Sequence, residues 1–376
     1  MIYLDNSATT NPKPASVQRA AANAVKIYSF NSGRGGYSQS VMTSQQIFDT
    51  RNKIYEMTGF EPQNIAFTSN CTQALNMAIK GSIKQGSHII ISNLEHNAVS
   101  RPVETLRRKG IISYDIAEYD YDDAKTVNNF KKLIKPSTSV IVCTMASNVF
   151  GCRFPIRGIG KLAKENGIRM IVDGAQGVGV FKINKDEDYV DILCCPGHKG
   201  LYGPLGTGFI AVGDDIELDT IIEGGTGSSS LDLSQPSFLP DRLESGTLNN
   251  SGIIGLGAGI DFVNSKGIEK IHSYELSLMD YVYTHLSKNQ KVTLYTPPPF
   301  EYETSPIVSF NYDDYSSEKT AGILADKGIC VRGGLHCAPL AHSAFSTSDR
   351  GTVRVSPSVF TTRRECEIFI NYLKKL

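Results

Sequence analysis

Pro196-Gly197-His198-Lys199-Gly200-Leu201-Tyr202-Gly203-Pro204 follows directly on an apolar run, 190–195. One lysine, framed by a histidine and small residues, is thereby carried from a strand end into a tight turn. That is where a Schiff base with an aldehyde cofactor would be placed. The alternative is a surface lysine in a glycine-rich loop, and the surrounding chain has to decide between the two.

Outward from Lys199, between about residues 60 and 215, short apolar runs alternate with amphipathic stretches; the runs are 88–92, 111–116, 140–145, 169–173, 190–195 and 208–212. Such alternation predicts an α/β domain with a mainly parallel central sheet. Stretches 156–166 and 101–109 read as helices closed by Gly167 and Gly110, glycine being suited to the left-handed residue that ends a helix. In such a sheet functional groups gather where strands end.

After Gly252 the pattern changes. A long amphipathic stretch at 268–287 precedes strands near 292–295 and 306–312, a helix at 318–327, strands at 329–332 and 352–356, and a final helix at 363–376. This predicts a second, α+β domain. The N-terminal segment 1–14 is extended and proline-punctuated, and is expected to supply that domain with a strand and to pack near the active site. The expected division is 15–255 for the large domain and 1–14 with 256–376 for the small one. The Ser/Gly-rich piece 224–230 reads as a loop or flap.

The 376 residues carry 38 basic and 38 acidic side chains, a formal net charge of zero. No global field draws such a chain to nucleic acid or to an anionic membrane, which leaves a small molecule as the expected partner. There is no basic segment followed by an apolar one at the start and no run long enough to span a membrane, so the expectation is a soluble, cytoplasmic protein. Eight cysteines (Cys71, Cys143, Cys152, Cys194, Cys195, Cys330, Cys337 and Cys366) lack the spacing of a metal site or a disulfide framework. Cys143, Cys194, Cys195 and Cys330 lie in apolar runs, where cysteine behaves as a small hydrophobe. Cys337 does not.

Four strand ends each offer a polar residue. Asp173, in Val172-Asp173-Gly174-Ala175-Gln176, could keep a pyridine nitrogen protonated or simply cap the next helix. Thr72, in Thr68-Ser69-Asn70-Cys71-Thr72-Gln73, stands where a helix N-terminus could hold a phosphate, or serve as an ordinary cap. His96, in Glu95-His96-Asn97-Ala98, could stack on an aromatic cofactor or shuttle a proton. Asn148 closes the run 140–145.

Taken in order, Thr72, His96, Asn148, Asp173, Gln176, His198 and Lys199 resemble the class V aminotransferase-fold enzymes that use pyridoxal 5'-phosphate, and within them the cysteine desulfurase and selenocysteine lyase group. The resemblance extends from Tyr3-Leu4-Asp5-Asn6-Ser7-Ala8-Thr9-Thr10 through Glu244-Ser245-Gly246-Thr247-Leu248-Asn249 to Arg354. It implies the type I transferase fold, with a seven-stranded, mainly parallel sheet and a smaller C-terminal domain. It makes Lys199 the Schiff-base lysine, Asp173 the partner of the pyridine nitrogen and His96 the ring-stacking, catalytic histidine. Gln176 would touch the phenolic oxygen, and Thr72 with His198 the phosphate. Thr247 would reach the phosphate of a neighbouring subunit, implying a homodimer. Asn148 and Arg354, with Arg332, would bind the substrate carboxylate, a role that suits a planar guanidinium. Pro196 departs from the Ser or Thr usual at its position and offers neither hydroxyl nor N–H. Cys71, also in the cofactor site, stands where relatives often have Thr.

Val331-Arg332-Gly333-Gly334-Leu335-His336-Cys337-Ala338-Pro339 places a cysteine after a strand and ahead of a loop at 341–350. It resembles the Arg-x-Gly-x-His-Cys-Ala signature of one desulfurase subgroup, which implies that Cys337 is the catalytic thiol. The implied reaction moves sulfur from L-cysteine onto Cys337 as a persulfide, releases L-alanine and passes the sulfur to an acceptor protein, as in sulfur metabolism and iron–sulfur cluster assembly. L-Selenocysteine is the alternative substrate. A transaminase or C–S lyase would leave Cys337 without a task, and an idle regulatory module would leave Lys199 without one.

Overall fold

β-Branched and aromatic residues fill the apolar runs, and with the segment after residue 64 these runs form one seven-stranded sheet. The computed structural model describes residues 1–33 and 35–376. The chain begins with β1 (Ile2–Tyr3), α1 (Ala15–Ile27), α2 (Ser38–Thr58), β2 (Ile65–Thr68), α3 (Cys71–Gly81), β3 (Ser87–Ser92) and α4 (Asn97–Arg108). It continues with β4 (Ile112–Ala117), α5 (Asp123–Lys132), β5 (Thr138–Thr144), α6 (Ile156–Glu165), β6 (Arg169–Asp173), β7 (Ile192–Pro196) and β8 (Gly208–Val212). Sheet order is β2-β8-β7-β6-β5-β3-β4, with β8 antiparallel to both neighbours and the other pairings parallel.

Alternate residues of each strand enter opposite cores, as a sheet covered on both faces requires. Ile90, Ile141, Val172, Leu193 and Phe209 join one core, and Ile89, Val142, Ile171, Cys194 and Ile210 the other. α4 starts at Asn97 rather than at 101, because His96 Nδ1 accepts the Ala98 N–H at 3.0 Å and caps the first turn.

The remainder runs α7 (Asn250–Lys266), α8 (Ile268–Leu286), β9 (Val292–Leu294), β10 (Val308–Tyr312), α9 (Ser317–Ala325), β11 (Ile329–Cys330), α10 (Pro339–Ala344), β12 (Val353–Val355) and α11 (Arg363–Leu373). β12, β10 and β9 form an antiparallel sheet, and β1 pairs in parallel with β11, so the N-terminal segment does supply a strand here. α8, α11 and these strands enclose a separate core around Met279, Phe310 and Phe369. α7 passes without interruption through residue 255, where the sequence places a division, and is closed by Gly267. The expected loop at 341–350 begins inside α10, a short helix with Pro339 in its first turn, where proline's missing N–H is harmless. Among the described residues no helix is long and apolar enough to cross a membrane.

Tyr202 fastens the lysine turn to α8. Its backbone is left-handed (φ +55°), its ring is buried, and its hydroxyl donates to Glu275 Oε1 at 2.9 Å while accepting the Val359 N–H at 3.0 Å. Burial raises the Glu275 carboxyl to about 8. The native state therefore holds this proton more tightly than the unfolded chain, an advantage that is full below the ordinary carboxylate range and lost as pH rises through 8. Glu275→Gln is expected to remove that loss. Denaturation midpoints measured from pH 5 to 9 should show the variant gaining on the parent as pH rises; parallel curves would mean that Glu275 does not titrate in this window.

Candidate active site

β6 ends on Asp173 and neighbouring β7 leads into Lys199, so two adjacent strand ends deliver an acid and an amine to the same side of the sheet. Close packing fixes the turn between: a Cβ on Gly197 would meet Thr207 Oγ1 at 2.3 Å, which only glycine avoids. From the other side the N-terminal segment clamps the His198 carbonyl, which accepts the Thr10 N–H at 3.2 Å and Lys13 Nζ–H at 2.7 Å. Ser7 O accepts from Gln176 Nε2 at 3.0 Å, so segment 1–14 packs against this site.

A cavity of about 230 Å³ opens at these strand ends. Ten of the residues singled out by sequence line it: Cys71, Thr72, His96 and Asn148 from the first strands, Asp173, Gln176, His198 and Lys199 from the middle, and Arg332 and Arg354 from the C-terminal part. Pro196, without a donor, lines it too. Two expected residues stand apart. Thr247 is exposed on the segment leading into α7, and Cys337 is exposed beyond the lining.

Burial sets the charges. It holds Lys199 below the ordinary lysine range, against the opposing effect of Asp173. It raises Asp173, whose Oδ1 accepts the Ala175 N–H at 2.9 Å and faces Cys71 Sγ at 3.5 Å. Cys71 is thus turned toward the carboxylate. His96 is pushed down to about 4 by burial and then by Lys199, and since its Nδ1 caps α4, the neutral ring carries its proton on Nε2. His198 is held near 4 by the same causes, and its Nδ1 has no partner among the described residues. Beneath them lies Glu95, fully buried and raised by burial to about 8; its Oε1 accepts from Ser92 Oγ and the Thr144 N–H, while Oε2 has no partner among the described residues.

Arg354 is buried and already engaged: Nη2 pairs with Asp5 Oδ1 at 2.5 Å, Nη1 donates to Asn148 O at 2.7 Å, and Nε has no partner among the described residues. Asn148 Nδ2 donates to His336 O at 2.9 Å, which leaves its Oδ1 unpartnered. The side chain of Asn148 therefore keeps a free acceptor and, on Nδ2, a second hydrogen. A guanidinium Nε–H and an amide oxygen remain for a ligand carrying both acceptor and donor groups.

Cys337 stands on a bend after β11, with its carbonyl accepting the Asn97 N–H at 2.7 Å and its Sγ 3.9 Å from Arg332 Nη2. Arg332 faces both the thiol and the cavity. Sequence reasoning missed Asp5 as the partner of Arg354, Lys13 at the His198 carbonyl, buried Glu95 and the role of Tyr202. Asp5 and Tyr202 lay inside quoted motifs, but nothing in the sequence signals the contacts they make.

The family profile described as Aminotransferase class-V matches residues 2–369. Along the whole chain, 31% of residues are identical to a protein from Methanothermobacter thermautotrophicus named "Probable cysteine desulfurase", of which 94% is covered. A protein from Salmonella dublin named "Cysteine desulfurase" is 28% identical over all of this chain and 93% of its own. Among solved structures, the apo cysteine desulfurase of Thermococcus onnurineus superposes with a TM-score of 0.92 at 29% identity, covering 100% of this chain and 94% of that one.

Proposed function

This chain belongs to the class V aminotransferase family and, within it, to the cysteine desulfurases; from that premise we propose that it takes sulfur from L-cysteine onto Cys337 and releases L-alanine. The observation that carries this assignment is the placement of Arg332, which lines the cavity holding Lys199 and also reaches the exposed Cys337 thiol at 3.9 Å. A plain transaminase has no use for a thiol at that rim.

The enzymes of this family use pyridoxal phosphate, and the residues present suit it. His198 Nδ1, unpartnered among the described residues, and the N-terminus of α3 at Thr72 would hold a phosphate, the Asp173 carboxylate a pyridine nitrogen, Lys199 an aldehyde carbon and Gln176 a phenolic oxygen, and His96 would be the residue for the aromatic ring. When bound, the pyridine ring supplies a sink for negative charge developing at the substrate α-carbon. Arg354 takes the substrate carboxylate, and Lys199 Nζ, held below its ordinary range, removes the α-proton. The Cys337 thiolate attacks the substrate sulfur. A sulfur–sulfur bond forms as the carbon–sulfur bond breaks, and the electron pair stays with the carbon skeleton, which takes one proton at the β-carbon and one back at the α-carbon and leaves as L-alanine. The persulfide then passes to a thiol-bearing acceptor. Thr247, exposed and outside the cavity of its own chain, is assigned to the phosphate site of a second copy in a homodimer.

Reconstituted protein, given a thiol reductant, is expected to release alanine and sulfide from L-cysteine one for one. Alanine from L-selenocysteine alone would make it a selenocysteine lyase, and a keto acid without alanine would return it to the transaminases.

A further inference from the structure

Cys337 sits on a bend that its residue types resist. His336 and Cys337 are consecutive non-glycine residues with φ of +51° and +55°, in the left-handed region where a Cβ is crowded. A line of buried side chains runs into this bend. His336 Nε2 lies 3.2 Å from the Arg332 carbonyl oxygen, His336 Nδ1 lies 3.4 Å from His342 Nε2, and His342 Nδ1 lies 2.7 Å from Thr347 Oγ1. The imidazole planes are 11° apart with centroids separated by 5.6 Å, so the rings meet end to end.

One assignment of protons satisfies all three of these contacts, with the His342 carbonyl at 3.4 Å a second acceptor within reach of the Thr347 hydroxyl. A carbonyl only accepts, so His336 Nε2 carries the hydrogen. Burial and Arg354 hold that ring down at about 2, which keeps it neutral and leaves Nδ1 bare. His342 Nε2 then donates to it, and His342, held near 4 by burial, has a bare Nδ1 in turn. The Thr347 hydroxyl donates into that nitrogen. Thr347 is itself fixed by backbone, its N–H on His342 O at 2.8 Å and its carbonyl accepting the Gly351 N–H at 2.8 Å.

We propose that Thr347 and His342 are positioning residues, which fix the tautomer of His336 and so hold the left-handed His336–Cys337 bend and the Arg332 main chain in one arrangement. The inference rests on Cys337 being the sulfur acceptor. The line closes into a ring, because the Arg332 carbonyl receives its last hydrogen while the Arg332 guanidinium reaches the Cys337 thiol. Asn148 on the His336 carbonyl and the Asn97 N–H on the Cys337 carbonyl pin the opposite side. The thiol is left to face the cavity rim from a fixed point.

Thr347→Val deletes the hydroxyl at nearly constant volume, and Thr347→Ser keeps it. Without that donor His342 is free to move its hydrogen to Nδ1, which would set two bare nitrogens against each other at His336. In the reconstituted holoenzyme Thr347→Val should lower kcat for alanine release from L-cysteine roughly tenfold, with KM within about twofold, as expected when a reacting group is displaced by a fraction of an ångström. Thr347→Ser should stay within about twofold of the parent. Nitrogen-15 NMR should show both histidines neutral with the hydrogen on Nε2 in the parent, and His342 altered in the valine variant. Parent-like turnover in Thr347→Val, equal impairment in the serine variant, or an Nδ1–H tautomer in the parent would each overturn the inference. Cys337→Ala run alongside separates the causes: full turnover there fails the sulfur-acceptor reading itself, whereas an inactive Cys337→Ala beside a parent-like Thr347→Val fails only the positioning role.

Discussion

Lys199→Ala is expected to reduce alanine release by at least ~10³-fold, the upper part of the range for loss of a positioned acid–base group. The size follows from how completely the fold commits this amine. It leaves the sheet at the end of β7, its turn is held by Tyr202 on Glu275 and by Lys13 on the His198 carbonyl, and burial keeps it below the ordinary lysine range in spite of Asp173. Among the described residues the cavity lining offers no second lysine to take its place. Borohydride treatment of the reconstituted parent should fix the cofactor to the peptide that contains Lys199. Recovery of that label on any other lysine, or a variant within tenfold of the parent, would remove Lys199 from the centre of the chemistry.

Cys337→Ala should abolish persulfide formation and lower alanine release from L-cysteine by roughly 10²-fold or more, since the substrate sulfur then has no thiol to be transferred to. The substitution is structurally mild: the side chain is exposed, and the bend is held through the carbonyls of His336 and Cys337, which alanine retains. Selenium leaves carbon more readily than sulfur, so part of any activity on L-selenocysteine should survive. Mass spectrometry after one turnover reads the persulfide directly, as a gain of one sulfur on the peptide with Cys337. Parent-level turnover of L-cysteine by the variant would reduce Cys337 to a structural thiol.

The strand ends were legible because parallel strands buried on both faces leave nearly continuous apolar runs, and the polar residue after each run then has one place to go. Asp173, His96 and Lys199 were found that way. α2 escaped notice because its buried positions include Ser40, Thr43, Thr50, Arg51 and Thr58, so no apolar stripe marks it. α7 is left unassigned for the opposite reason: its glycines look like breakers but allow close approach, and a Cβ on Gly259 would meet the Leu201 carbonyl oxygen at 2.2 Å. Contacts such as Asp5 with Arg354, or the direction of the Asn148 amide, depend on which distant segment arrives, and no periodicity encodes that.

Arg354 and Asp5 are 349 positions apart, and β1 closes on β11 across almost the same span. During synthesis residues 2–5 leave the ribosome long before 329–356, by which time every strand of the main sheet has emerged. The large sheet is then free to assemble around its own cores, while the wall carrying Arg332 and Arg354 waits for segment 329–356 to return to segment 2–5. Until then the basin at the strand ends is only half walled, and the side bearing Arg332 and Arg354 is completed after the sheet that faces it.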